Sequence, residues 1–173
     1  MIFETERLYV RPYTMDDFPD FFSMNSNEEV MRYIRPTQDR GKSMEFFKKI
    51  LADYERLPGL GRWAMHTRID DRFVGSFAVI PVENSADIQI GYSLSKENWG
   101  LGYASEALKG CLRYVFDNLK LEKVVGITEA ENLGSQKVLL KNGFVFDHTF
   151  REGEKELYLY ILKVGRNTIA TGL

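Results

Sequence analysis

The sequence predicts an α+β fold in which a mixed but mostly antiparallel sheet of about seven strands carries several helices. Three observations lead there. Between Gly61 and Leu94, three runs rich in β-branched and aromatic residues follow one another with only short polar turns between them, the pattern of an antiparallel meander. From Ala86 to Thr128 a strand-like run, a loop with two glycines, an amphipathic run and a second strand-like run come in order, which implies a parallel pair joined by a right-handed crossover. The 173 residues, 44% hydrophobic and 28% charged, suit one globular domain over 1–173 with no internal repeat, linker or low-complexity segment.

Each element has its own signal. Arg7-Leu8-Tyr9-Val10-Arg11 alternates and stops at Pro12, as a first strand does. Thr14, with Asp17 three residues on, opens an amphipathic stretch through Phe18, Phe21 and Phe22. Asn27 caps a short helix over Glu28 to Tyr33, closed by Pro36. Ser43 is the expected cap of a longer helix striped by Phe46, Phe47, Ile50, Leu51 and Tyr54 and ended by Pro58-Gly59. Such stripes read as core, whereas Phe22, Tyr33 and the neighbourhood of Arg35 flank a loop and are candidates for a ligand-site wall. Gly61 to Arg68 and Phe73 to Pro81 make a hairpin turning at Asp70-Asp71, and Asn84-Ser85 turns into the strand Ala86 to Leu94. Ala104, Ala107, Leu108, Cys111, Leu112, Val115 and Leu119 share one face of a helix starting near Tyr103. Lys123 to Thr128 is a short apolar strand; Asn132 caps the next helix and Gly143 ends it. Phe144 to Phe150 and Lys155 to Lys163 form a closing hairpin, and the polar tail over 164–173 is expected to fray.

The loop before the Tyr103 helix, Trp99-Gly100-Leu101-Gly102-Tyr103-Ala104-Ser105-Glu106-Ala107, reads as an anion cradle. Glycine lets the backbone turn tightly and approach a ligand, and the first N–H groups of a helix have no internal partner, so a phosphate can satisfy them. Counting from Tyr92 and Leu94, four residues intervene before Trp99, two more before Gly102 and one more before Ala104. This spacing resembles the acyl-CoA motif of the GNAT superfamily of N-acetyltransferases, and the run from Gly91-Tyr92 to Ala107 looks most like its RimJ/RimL-like branch. Asn132-Leu133-Gly134-Ser135, in a helix that ends in Gly143-Phe144, is similar to that branch's Asn-x-x-Ser helix. Glu4-Thr5-Glu6-Arg7-Leu8-x-x-Arg11 extends the resemblance over nearly the whole chain.

The resemblance implies a three-layer fold with helices on both faces of the sheet, splayed between the fourth and fifth strands. It implies acetyl-CoA as co-substrate. The pantetheine arm would bond Tyr92 to Leu94 as an added strand does, and the pyrophosphate would sit on the N–H groups of Leu101, Gly102, Tyr103 and Ala104. Trp99, Gly100 and Ser105 complete that loop, Asn132 would hold the arm, and Ser135 would protonate the departing thiolate. Asn132 is also a good helix cap in its own right, and Ser135 could instead bond backbone. Gly91 is consistent either with a bulge that frees a backbone N–H for the oxyanion or with plain packing.

Three departures from the family pattern matter. Trp99 replaces Gln or Arg, and Leu101 stands where the branch often has Lys, so the phosphates would rely on backbone dipoles and on Lys96, Lys137 or Lys141. Gln89 stands where many members carry a strand-borne Glu as base, and a glutamine accepts no proton at neutral pH. Asp87, two residues upstream, is the candidate substitute.

Composition narrows the alternatives. With 23 Lys and Arg against 25 Asp and Glu, the net charge of −2 leaves no electrostatic footprint for nucleic acid. One cysteine and two histidines offer no zinc spacing, and Cys111 on an apolar helix face reads as core. No metal is expected. The N-terminus lacks a signal-peptide pattern and no window approaches ~18 apolar residues, so the expectation is a cytoplasmic protein, monomer or homodimer, with no membrane partner. A nucleotide-binding domain is disfavoured because no P-loop Lys-Ser/Thr ending is present. Two readings remain: an enzyme acetylating a primary amine, whether a protein N-terminus, amino sugar, polyamine or antibiotic, and an acyl-CoA-binding module without turnover, which Gln89 favours.

Overall fold

Eight strands form one sheet in the computed structural model, which describes residues 1–164. They are β1 (Phe3–Glu4), β2 (Leu8–Pro12), β3 (Gly61–Thr67), β4 (Phe73–Pro81), β5 (Ile88–Leu94), β6 (Lys123–Glu129), β7 (Val145–Glu152) and β8 (Lys155–Lys163). The helices are α1 (Phe18–Asn25), α2 (Glu28–Met31), α3 (Arg40–Arg56), α4 (Tyr103–Arg113) and α5 (Leu133–Lys141). Strand order is β1-β2-β3-β4-β5-β6-β8-β7, so the expected fourth and fifth strands are β5 and β6 once the two-residue β1 is counted. Every neighbouring pair is antiparallel except β5 with β6. The expected tail falls, from residue 165 on, outside the described residues.

Alternation along β3 divides the interior into two layers. Trp63 and Met65 point to the larger core, shared with Val10, Phe77, Ile90, Leu108, Cys111, Val124 and Leu139, while Ala64 points to a smaller aromatic core of Tyr13, Phe18, Phe21, Phe47 and Ile50. α4 and α5 therefore cover one face and α1 and α3 the other. Gly110 lets β1 close on α4: a Cβ there would lie 2.6 Å from Thr5 Cγ2 and 3.0 Å from Phe3.

Several boundaries differ from expectation, each for a local reason. α3 begins four residues early because Asp39, not Ser43, is its cap, accepting the Lys42 N–H at 2.9 Å. The helix begun at Tyr103 changes at Tyr114 into a π-helical turn, Tyr114–Asn118, before Lys120 takes a positive φ of 55°. β5 starts at Ile88, leaving Asp87 just outside it. Asn27 caps α2 as expected, and α5 ends with Gly143 at φ 87°, its N–H bonding Leu140 O and that of Phe144 bonding Leu139 O. Among the described residues no helix is long and apolar enough to cross a membrane.

Candidate active site

The site grows from the one parallel junction. β5 and β6 share a single register pair, Gln89 with Val125, and an ion pair between Asp87 and Lys123 closes the strands at that end. Beyond Gln89 they part, and Ile90 to Leu94 have β4 on one side and, among the described residues, no strand on the other. Unsatisfied backbone groups along such an edge suit an amide-bearing ligand.

α5 enters this wedge by its first turn. Asn132 Oδ1 accepts the Ser135 N–H at 3.1 Å, which fixes the turn, and the Ser135 hydroxyl lies 3.2 Å from the Tyr92 hydroxyl, which also reaches the Ser135 carbonyl at 3.3 Å. Burial pushes the Tyr92 phenol up to about 12, the Ser135 bond working the other way. Two hydroxyls in contact, both protonated at neutral pH, are therefore available inside the wedge.

At the wide end lies the glycine loop. Gly100 and Gly102 have φ of 75° and 82°, and Gly102 is the N-cap of α4 with no side chain capping the helix. Trp99 donates its indole N–H to Leu94 O at 2.9 Å, tying the end of β5 to the loop. Ser105 Oγ accepts from Asn142 at 3.0 Å, linking the start of α4 to the end of α5. Leu101 and Trp99 are themselves exposed.

Arg7, which sequence reasoning quoted only as part of a motif, organises this loop. Its Nη1 donates to Leu101 O at 3.0 Å, its guanidinium lies 4.6 Å from the Tyr103 ring centre, and its Nε meets Glu106 Oε2 at 2.6 Å. Glu106 also accepts the Arg7 backbone N–H at 2.8 Å and the Thr5 hydroxyl at 2.6 Å. Burial pushes the Glu106 carboxyl up, but the bonds from Thr5 and Arg7 outweigh it and hold it below the usual range. Of the lysines expected to serve phosphate, Lys96 is engaged with Glu29 at 2.5 Å.

The faces of β5 separate the remaining candidates. Tyr92 lies on the α4 and α5 side, stacked on Phe77. Gln89, Gly91 and Ser93 alternate with it and lie on the α1 and α3 side, in cross-strand rows with Ile80, Ala78 and Ser76. Gln89 makes no side-chain hydrogen bond among the described residues. A bulge at Gly91 does not form: its pairing with β4 is continuous, its φ is not positive, and a Cβ there would meet only Ala78 at 3.9 Å. Asp87 is held ionised chiefly by the Lys123 ammonium, below the usual carboxylate range. Among the described residues no three His, Cys, Asp or Glu side chains gather to hold a metal.

Comparison with known proteins bears on the family and the fold. A family model described as an acetyltransferase (GNAT) domain matches residues 7–145. The uncharacterized N-acetyltransferase p20 of Bacillus licheniformis is 30% identical over 155 residues, covering 87% of this chain and 86% of that one. The uncharacterized N-acetyltransferase YoaA of Bacillus subtilis is 28% identical over 162 residues, covering 92% and 88%. Among solved structures, a GNAT-family acetyltransferase from Bacillus anthracis superposes with a TM-score of 0.83 at 21% identity, over 93% of this chain and 97% of that chain. Spermidine N-acetyltransferase from Vibrio cholerae, in complex with CoA and spermine, gives 0.75 at 18% over 90% and 95%. RimL, a ribosomal L7/L12 α-N-protein acetyltransferase in complex with coenzyme A, gives 0.79 at 14% over 92% and 96%.

Proposed function

Because the chain belongs to the GNAT acetyltransferase family, a family of acetyl-CoA acyltransferases, we propose that it moves an acetyl group from acetyl-CoA to a primary amine by direct attack in a ternary complex. The observation that carries this reading is the partnerless edge Ile90 to Leu94, opening beside a pair of hydroxyls and an uncapped helix. The Asn132 to Ser135 helix start and the Gly102-Tyr103-Ala104 loop support a place in the RimJ/RimL-like branch.

Each residue then has a task. The edge of β5 bonds the pantetheine arm, with Asn132 beside it, and the free N–H groups of the Leu101 to Ala104 turn receive the pyrophosphate, with Arg7 holding the turn in shape. A backbone N–H of the open edge faces the thioester oxygen, and Ser135, backed by Tyr92, hydrogen-bonds the sulfur as it leaves, water returning to the hydroxyl pair the proton that the thiolate takes. Gln89 cannot take the amine's proton, and Asp87 is engaged by Lys123, so the acceptor arrives neutral and water carries its proton away. An α-amino group, about one in ten neutral at pH 7, suits this better than a lysine side chain. Release of free CoA on adding a library of amines tests the proposal; binding of CoA with no release for any amine would leave a binding module instead.

A further inference from the structure

On the sheet face that carries Gln89 and Gly91, two guanidinium groups share one phenyl ring. Arg35 Cζ lies 4.4 Å and Arg62 Cζ 5.8 Å from the centre of Phe46 on α3. Arg62 comes from β3 and starts the cross-strand row Arg62, Ala78, Gly91, whose other members have almost no side chain. These two residues put no bulk of their own between Arg62 and the open edge of β5. Arg35 comes from the loop after α2 and donates to Asn25 Oδ1 at 2.6 Å.

Neither arginine has a carboxylate at ion-pair distance among the described residues, although Arg7, Arg11, Arg56 and Arg72 each do. Both are half-buried. A cavity of about 220 Å³ beside Phe46 is walled by Arg62, Lys49, Ile80, Pro81 and Asp53, and that one acid is held by Arg56 at 3.0 Å. Burial lowers both guanidinium groups, Arg35 to about 10 with a further push from the charge of Arg62, so like charges are being held together and partly dry. The shared ring returns only a modest part of that cost. An oxyanion reaching both would meet their charge, and each guanidinium offers it a planar fork of donors.

We propose that Arg35 and Arg62, standing over Phe46, anchor an oxyanion of the acceptor, so that the substrate is a small primary amine that also carries a carboxylate or phosphate. This rests on the acetyl-transfer reading above. Strands spaced ~4.8 Å apart put the backbone at Arg62 ~10 Å from that at Gly91, so amine and oxyanion are several bonds apart in the acceptor. An ω-amino carboxylate, a short peptide or an amino-sugar phosphate carries the two groups that far apart.

The test compares 6-aminohexanoate with its carboxamide, and glucosamine 6-phosphate with glucosamine, with spermidine as a cationic control. Wild type is expected to favour the anionic member of at least one pair by about tenfold or more in kcat/KM, chiefly through KM; the pair that responds separates carboxylate from phosphate. Arg35→Gln and Arg62→Gln should each bring that ratio toward one, and Arg62→Lys should restore part of it. Calorimetric titration of the same compounds into CoA-saturated protein runs alongside. Charge-dependent binding that both glutamine variants weaken, without acetyl transfer to any amine, would sink the catalytic reading and leave the anchor standing. Acetyl transfer indifferent to charge in wild type, or a preference that survives in both glutamine variants, overturns the anchor. The wild-type ratios decide even where a variant fails to fold.

Discussion

Ser135 and Tyr92 are 43 residues apart in sequence and touch only because α5 enters the wedge beside β5. Asn132 and Ser135 were legible, since their spacing is local and the cap explains itself. The phenol was not, because alternation gives Tyr92 a face but no partner, and Arg62 drew no notice in a strand that reads as core. If the two hydroxyls act as one donor, Ser135→Ala and Tyr92→Phe should each lower kcat by ~10- to 100-fold with CoA affinity nearly unchanged, and the double variant should be little worse than either. Additive losses in that cycle would argue that the two hydroxyls act independently rather than as one donor. The phenol, raised to about 12, keeps its proton across the working range, so kcat/KM should climb with pH along the acceptor's own titration and show no donor limb below pH 9. Gln89→Glu should raise kcat/KM at low pH, and Asp87→Asn should change it only a few-fold because Lys123 already engages that carboxylate. Loss of turnover in Asp87→Asn with CoA still bound would make Asp87 the base.

At the level of elements, the glycine loop and the helix after it were plain in the sequence, while the clip that shapes them was hidden by a separation of 99 positions between Arg7 and Glu106. Gly102 sits at φ 82°, where a β-branched residue is strained by ~1–2 kcal/mol before any ligand is present. Gly102→Val should therefore lower CoA affinity by tenfold or more in calorimetry, and unchanged affinity in a folded variant would move the phosphate site elsewhere. The clip adds a pH dependence. Glu106 is more acidic folded than unfolded, so the stability it confers is complete above the unfolded glutamate value of ~4.3 and is lost as pH falls through its lower folded value. Denaturant midpoints of wild type and Glu106→Gln should differ at pH 7 and converge toward pH 3; a constant gap would mean the carboxylate contributes by packing alone. The early start of α3 was misread because Asp39 and Ser43 are both good caps and nothing local ranks them.

For the whole molecule, the meander and the parallel crossover followed from order and spacing, and the opened junction followed from family likeness. The order β6-β8-β7, and the pairing of Phe3 and Glu4 with β2, did not, because an apolar hairpin and a two-residue strand carry no address for their neighbours. Cys111, fully buried in the larger core with its thiol pushed well up by desolvation, should label with thiol reagents only when that core opens. Its labelling rate is expected to track global unfolding measured by denaturant; labelling at an unfolded-peptide rate in native buffer would contradict the packing.

One rung joins two blocks of the sheet, β1 to β5 and β6 to β8, which are otherwise held by the shared larger core, by α4 and by Asp87 with Lys123. A ligand that bonds the free edge supplies the missing rungs and couples the blocks. At a hundredfold excess over its Kd such a ligand adds ~2.7 kcal/mol to global stability and should raise the melting temperature. Where acyl-CoA is that ligand, the lifetime of the protein against proteases should follow its supply, so that when the donor runs short the enzyme becomes the more perishable form of itself.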